Sequence, residues 1–144
     1  ASLQEVVIPV IQINHKRLDT LEFVEIDIIK SSDTITTNIL PISFLQSEMI
    51  RDNLLGRQIQ AYLVAEDGTI LSDTFTYIFD SEDENVRQRE VKHRFQLSSL
   101  ASGKYKNQRV KLILEEPVKG AQKWKVYKEF YFTLKISFAS DFDF

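Results

Sequence analysis

Apolar and polar residues alternate along most of this chain. The clearest run is Tyr127 to Phe138, YKEFYFTLKISF. Phe130, Phe132, Leu134, Ile136 and Phe138 occupy its even positions, and Tyr131, Thr133, Lys135 and Ser137 its odd ones. One apolar and one mixed face is the pattern of a strand half buried in an antiparallel sheet. Five large side chains on one face need a facing sheet, because a lone hairpin buries too little. Phe132 and Leu134 are therefore expected in the core.

Other segments are suited to supply that sheet. Glu5 to Asn14 reads as a first strand, with Pro9 favouring an edge or a bulge. Leu21 to Lys30 alternates Val24, Ile26 and Ile28 against Glu25 and Asp27, a strand with one wet face. Thr34 to Leu45 is β-branched and apolar, and a break or bend is expected at Pro41. Ser47 to Gly56 is the best helical candidate, with Ser47 to cap, Glu48 in the first turn and Gly56 to close. Arg57 to Ala65 and Ile70 to Phe79 flank Glu66-Asp67-Gly68-Thr69, and Asp-Gly between alternating runs signals a hairpin. An acidic loop, Asp80 to Asn85, precedes Glu90 to Leu97, where Val91, His93, Phe95 and Leu97 share one parity. Leu100-x-x-Gly103-x-Tyr105 resembles the corner of immunoglobulin-like sandwiches at which a tyrosine hydroxyl bonds back to the backbone. Arg109 to Glu115 is a strand through Val110, Leu112 and Leu114, and Pro117 to Gly120 turns into the long run. About eight strands and one short helix predict an all-β fold, an immunoglobulin-like antiparallel β-sandwich, as a single domain over residues 1–144.

Composition narrows the setting. A chain of 144 residues buries roughly 70% of the surface its unfolded form exposes. Cysteine is absent, which removes disulfides and thiolate chemistry and fits a reducing, cytoplasmic location. No apolar run approaches the ~20 residues that span a bilayer, so no membrane partner is expected. The net charge of −3 hides an asymmetry: residues 87–128 hold 12 of the 18 Lys and Arg but three of the 21 acids. Such an imbalance points to a polar partner unless folding intermixes the two sets.

Signatures of catalysis are missing. There is no Gly-x-Ser-x-Gly, and the four glycines stand alone rather than in a phosphate-cradling loop. His15 and His93 lack a second ligand at metal spacing, so no metal or other cofactor is expected; His93 shares parity with Val91 and Phe95 and should be partly buried and hydrogen-bonded. Asp80, Glu82, Asp83 and Glu84 are oxygen donors suited to calcium, but without EF-hand spacing a solvated loop is the simpler reading. The basic segment 104–128 interleaves lysines with Tyr105, Trp124 and Tyr127. Its candidate nucleic-acid contacts are Lys104, Lys106, Arg109, Lys111, Lys123, Trp124 and Lys125, which combine phosphate neutralisation with stacking. The competing reading is that strands point lysine outward for solubility and edge protection. At the far end Phe142 and Phe144 are candidate anchors for a protein partner, because a ring removed from water gains roughly 1.5–3 kcal/mol.

The opening ASLQEVVIPVIQI, with Leu3-Gln4-Glu5-Val6-Val7-Ile8-Pro9-Val10 at its centre, resembles a strand in PglZ-type proteins of BREX phage-defence systems, members of the alkaline-phosphatase superfamily. The closing Ser140-Asp141-Phe142-Asp143-Phe144 is similar to the Asp/Phe tail of that family. Between these ends the match is mainly one of strand pattern. The resemblance implies a C-terminal accessory domain of a larger protein, whose nucleophile and metal ligands lie upstream of Ala1. No catalytic residue of the family is carried onto this chain. Its partners would be the upstream catalytic core and other phage-defence proteins, with DNA as the alternative.

Overall fold

A computed structural model describes residues 21–136. The predicted strand at Glu5 to Asn14, together with His15, Phe138, Phe142 and Phe144, lies outside the described residues. Ten strands are present among them: β1 (Glu22–Phe23), β2 (Ile26–Ile29), β3 (Thr34–Ile35), β4 (Ile39–Gln46), β5 (Leu54–Leu55), β6 (Arg57–Ala65), β7 (Phe75–Phe79), β8 (Glu90–Gln96), β9 (Arg109–Pro117) and β10 (Trp124–Leu134). One sheet runs β2-β4-β8 and the other β3-β10-β9-β6-β7, while β1 and β5 form a short parallel ribbon. The chain passes from β4 in the small sheet to β6 and β7 in the large one, back to β8, and out again to β9 and β10. This is an all-β sandwich.

The period of two works as expected where it is cleanest. Phe132 and Leu134 of β10 are buried, as are Val110, Leu112 and Leu114 of β9 and Ile59, Ala61 and Leu63 of β6. The small sheet contributes Ile26, Leu40, Ile42, Phe44 and Phe95. Phe44 of β4 meets Phe75 and Phe79 of β7 with ring centroids 5.3 and 6.1 Å apart, which locks the two sheets face to face.

Four expectations need correction. The segment from Ser47 to Gly56 is not helical: it makes a turn at Arg51–Leu54 and then β5, which pairs with β1. Two helical turns would leave most of their end groups unsatisfied; instead Ile50 N–H donates to Ser81 O, and Ile50 and Leu54 pack on the core. Gly56 has a different role. A Cβ there would stand 2.6 Å from Asp80 Cβ and 2.9 Å from Phe79 O, so only glycine lets β6 start this close to the end of β7. The third strand does not break at Pro41. It breaks at Thr36–Asn38, and β4 runs through Pro41, which faces solvent where β2 has already ended opposite Ser43. Finally, the turn Glu66–Thr69 forms with Gly68 at φ +92°, but β7 begins only at Phe75. Ile70 and Leu71 still pair with β6, Leu71 N–H donating to Leu63 O, and residues 72–74 then cross to the end of β8, where Ser72 bridges Leu97.

Two buried polar side chains hold the loops at one end. Gln46 donates to Glu48 O and Ser81 O and accepts from Ser81 N–H. Arg89, at the end of a 3₁₀ turn, donates to the carbonyls of Gln46, Ser47, Asp83 and Glu84. Neither role is signalled by the alternation.

Candidate functional site

Arg57 opens β6 at the end of the sandwich where the chain enters. Its guanidinium lies 4.1 Å from the Tyr127 ring centroid, is ion-paired with Glu116, and donates from Nε to Val24 O at 2.8 Å. One side chain thus ties β6 to β9, to β10 and to the link between β1 and β2. Tyr127 is placed for this by a register shift between Val126 and Lys128, which turns it into the rim of the sandwich. Its hydroxyl accepts Ile26 N–H at 3.1 Å. Lys128 beside it bonds Glu25 at 3.0 Å and lies 3.3 Å from Asp27. Burial alone would lower the Lys128 pKa; the Glu25 hydrogen bond and the nearby Tyr127 and Asp27 charges outweigh it, and the pKa stands above the ordinary lysine value.

Next to Arg57 a groove of about 550 Å³ opens between Phe23, Gly56, Gln58 and Pro117, with Lys119 and Lys125 on its rim. Phe23 is 51% exposed, and Leu21 and Leu55 on the same ribbon are 45% and 38% exposed. Three of the eleven exposed large apolar side chains among the described residues therefore lie on or beside this ribbon.

The predicted basic segment is not one surface. Lys104, Lys106 and Arg109 lie at one end of β9; Lys123, Trp124 and Lys125 lie at the other, a strand length of about 26 Å away. Several of the cations are also engaged: Arg109 with Glu66 at 3.4 Å, Lys111 with Glu129 at 3.2 Å, and Lys125 with Glu116 at 3.9 Å. Tyr105 is buried, and Tyr127 lies between Arg57 and β2, so neither ring is free to stack on a base.

Two further clusters pair ionisable groups, one around His93 and one around Glu115. His93 is half-buried as its parity implied, stacked on Phe75 at 4.4 Å and 2.8 Å from Asp73 Oδ2. Burial would raise the Asp73 pKa, but the Gln96 N–H and the His93 ring outweigh it and hold it low. On the outer face of the large sheet, Glu115 accepts from Tyr62 Oη at 2.8 Å and from Gln60 at 3.0 Å. Burial, then the Glu115 hydrogen bond and charge, push the Tyr62 pKa to about 12. In the acidic loop the backbone carbonyls of Asp83 and Glu84 accept from Arg89, so the loop is held by its main chain. Among the described residues no three His, Asp or Glu side chains gather as a metal site, and no helix is long and apolar enough to cross a membrane.

The described residues thus form a β-sandwich with a groove beside Arg57, between Phe23 and Pro117. No protein-family model matches the chain. Over its whole length it is 28% identical to the Alkaline phosphatase-like protein PglZ of Bacillus cereus (strain H3081.97), across 148 aligned residues. The chain spans 17% of that protein, so it resembles one region of a much longer polypeptide.

Proposed function

We propose that this chain is a non-catalytic accessory β-sandwich of a PglZ-like cytoplasmic protein. It packs on the rest of that polypeptide and docks other proteins of the antiviral defence that the BREX resemblance implies. The observation that carries the reading is the solvent exposure of Leu21 and Leu55 beside the groove. Contiguous apolar surface of this kind is kept where another polypeptide covers it. The similarity to one region of a longer, alkaline-phosphatase-like protein supports a covering partner within the same polypeptide. The order β2-β4-β8 facing β3-β10-β9-β6-β7 supports the immunoglobulin-like reading of the sandwich.

The test is to mix the purified chain with the remainder of a PglZ-like protein and follow association by calorimetry. A complex is expected that Leu21→Asp together with Leu55→Asp abolishes, while the melting curve of the chain is unchanged. The chain alone should leave phosphomonoesters and phosphodiesters intact, with or without divalent metal. An undiminished complex in the double variant overturns the docking surface, and turnover lost on substituting a residue of this chain overturns the non-catalytic reading.

A further inference from the structure

Among the described residues each sheet ends in two edge strands, β2 and β8 in the small sheet and β3 and β7 in the large one. An edge leaves the N–H and C=O of every second residue unpaired, and natural sheets blunt it by shortness, by proline or by charge. Three of these edges carry such a device. β3 has two residues, β2 has four and includes Asp27, and β8 holds Lys92 and Arg94 in solvent. β7 has none. Its five residues, Phe75-Thr76-Tyr77-Ile78-Phe79, include no charge, no proline and no glycine. Tyr77 and Ile78 are 41% and 54% exposed.

The register with β6 says which face each side chain takes. Tyr77 lies opposite Ile59, which is fully buried, so Phe75, Tyr77 and Phe79 face the small sheet and Thr76 and Ile78 face outward. The Tyr77 ring continues the row of Phe75 and Phe79, with centroids 5.9 and 4.8 Å away. It stays part exposed because the three-stranded sheet ends at β8, short of covering the edge of the five-stranded one.

This edge is complementary to itself. Laid antiparallel about a two-fold axis at Tyr77, it sets Phe75 opposite Phe79, Thr76 opposite Ile78 and Tyr77 opposite its own copy. Aromatic and β-branched residues stabilise a sheet when they meet across strands in this way. The flanking acids do not oppose each other. Asp80 falls opposite Thr74, and Asp73, already bonded by Gln96 N–H and His93, falls opposite Ser81. A slip of one residue would set Asp73 opposite Asp80 and turn the apolar face of one copy to the other side of the sheet.

We propose that β7 pairs with β7 of a second copy of this chain, antiparallel about Tyr77, so that the two large sheets become one continuous sheet. The pairing uses other residues than the docking reading above and goes beyond it. Five residue pairs make a small interface, so the dimer is weak and depends on concentration.

Sedimentation of the full chain between about 10 μM and about 1 mM should show a monomer passing into a dimer. Thr76→Lys with Ile78→Lys should hold the chain monomeric with an unchanged melting curve, because both side chains are exposed and each lysine then opposes a lysine of the other copy. Thr76→Glu with Ile78→Glu should do the same, and an equimolar mixture of the two variants should dimerise again. The chain has no cysteine, so Tyr77→Cys should give a disulfide-linked dimer on mild oxidation, whereas Ile70→Cys, at a position no less exposed, should not. A chain that stays monomeric at the highest concentration overturns the proposal. So does a dimer that survives the paired lysines, or a Tyr77→Cys chain that cross-links no faster than the Ile70→Cys one. Leu21→Asp with Leu55→Asp should leave the dimer intact, so the pairing and the docking reading fail separately.

Discussion

The Tyr105 hydroxyl donates to Asp67 Oδ2 at 2.7 Å and lies 3.0 Å from Thr69 Oγ1. The corner before β9 is thereby tied to the tip of the β6–β7 turn, not to backbone upstream of itself. The tyrosine signature was legible in Leu100-x-x-Gly103-x-Tyr105, and Tyr105 N–H does donate to Leu100 O. The partner of its hydroxyl was not, because it comes from a turn almost forty residues earlier.

That bond has a pH signature. The Tyr105 hydroxyl, helped by Thr69, holds the Asp67 carboxyl at about 2. A carboxyl lowered in the folded state stabilises it above the unfolded pKa of about 4, and this contribution fades as pH falls toward the folded value. Tyr105→Phe should return the Asp67 titration, followed by carboxyl NMR shifts, toward the ordinary carboxylate range and should lower the melting temperature at neutral pH.

Tyr62 gives the opposite sign at the other extreme. Its proton is held to about 12 in the fold against 10.0 ordinarily. Its contribution is complete below pH 10.0 and is lost as pH rises through about 12. Tyr62→Phe should flatten the alkaline arm of the stability profile between those values, as measured by denaturant unfolding with tyrosinate absorbance.

In the core, Phe132→Ala or Leu134→Ala should each cost on the order of 2–5 kcal/mol in chemical denaturation, from lost transfer energy and the cavity left behind. Less than about 1 kcal/mol for both would mean that the apolar face of β10 is not the packed one.

Arg89 is 8% exposed and bonds four backbone carbonyls. Arg89→Ala should destabilise by on the order of 3 kcal/mol, because buried acceptors lose their donor. Arg89→Lys should rescue less than half of the loss, since an ammonium does not reproduce the planar fork. Full rescue by lysine would show that only the charge matters.

For DNA, a low-salt anisotropy titration at micromolar protein should show no binding. Lys111 and Lys125 are paired with carboxylates, and the two ends of β9 divide the remaining cations. Salt-sensitive binding lost on Lys123→Ala and Lys125→Ala would instead make them phosphate contacts.

Side-chain parity was readable wherever burial is one-sided. Phe132, Leu134, Phe95 and Leu112 sit where alternation put them, because a slip of one residue would turn a whole strand inside out. Local signals failed where a distant partner decides. Ser47, Glu48 and Gly56 look like helix punctuation, yet the backbone between them is claimed by β1 and by Ser81. Pro41 looks like a breaker, yet nothing pairs on its open side. The basic run looked continuous because sequence neighbours at the two ends of a hairpin arm lie a full strand apart in space. The groove had no linear signature, since Phe23, Arg57, Pro117 and Lys125 meet only once β1, β6, β9 and β10 have assembled.

β3 lies parallel to β10, with Thr133 N–H donating to Asp33 O and Lys135 N–H to Ile35 O, both at 2.8 Å. A force that draws β3 and β10 in opposite directions along their length therefore slides these two strands past each other instead of peeling them apart. Bonds loaded in shear give way together, whereas bonds in a peeled hairpin such as β6–β7 open one at a time. β3 and β10 are thus joined so that stretching them apart along their length loads their shared bonds at once.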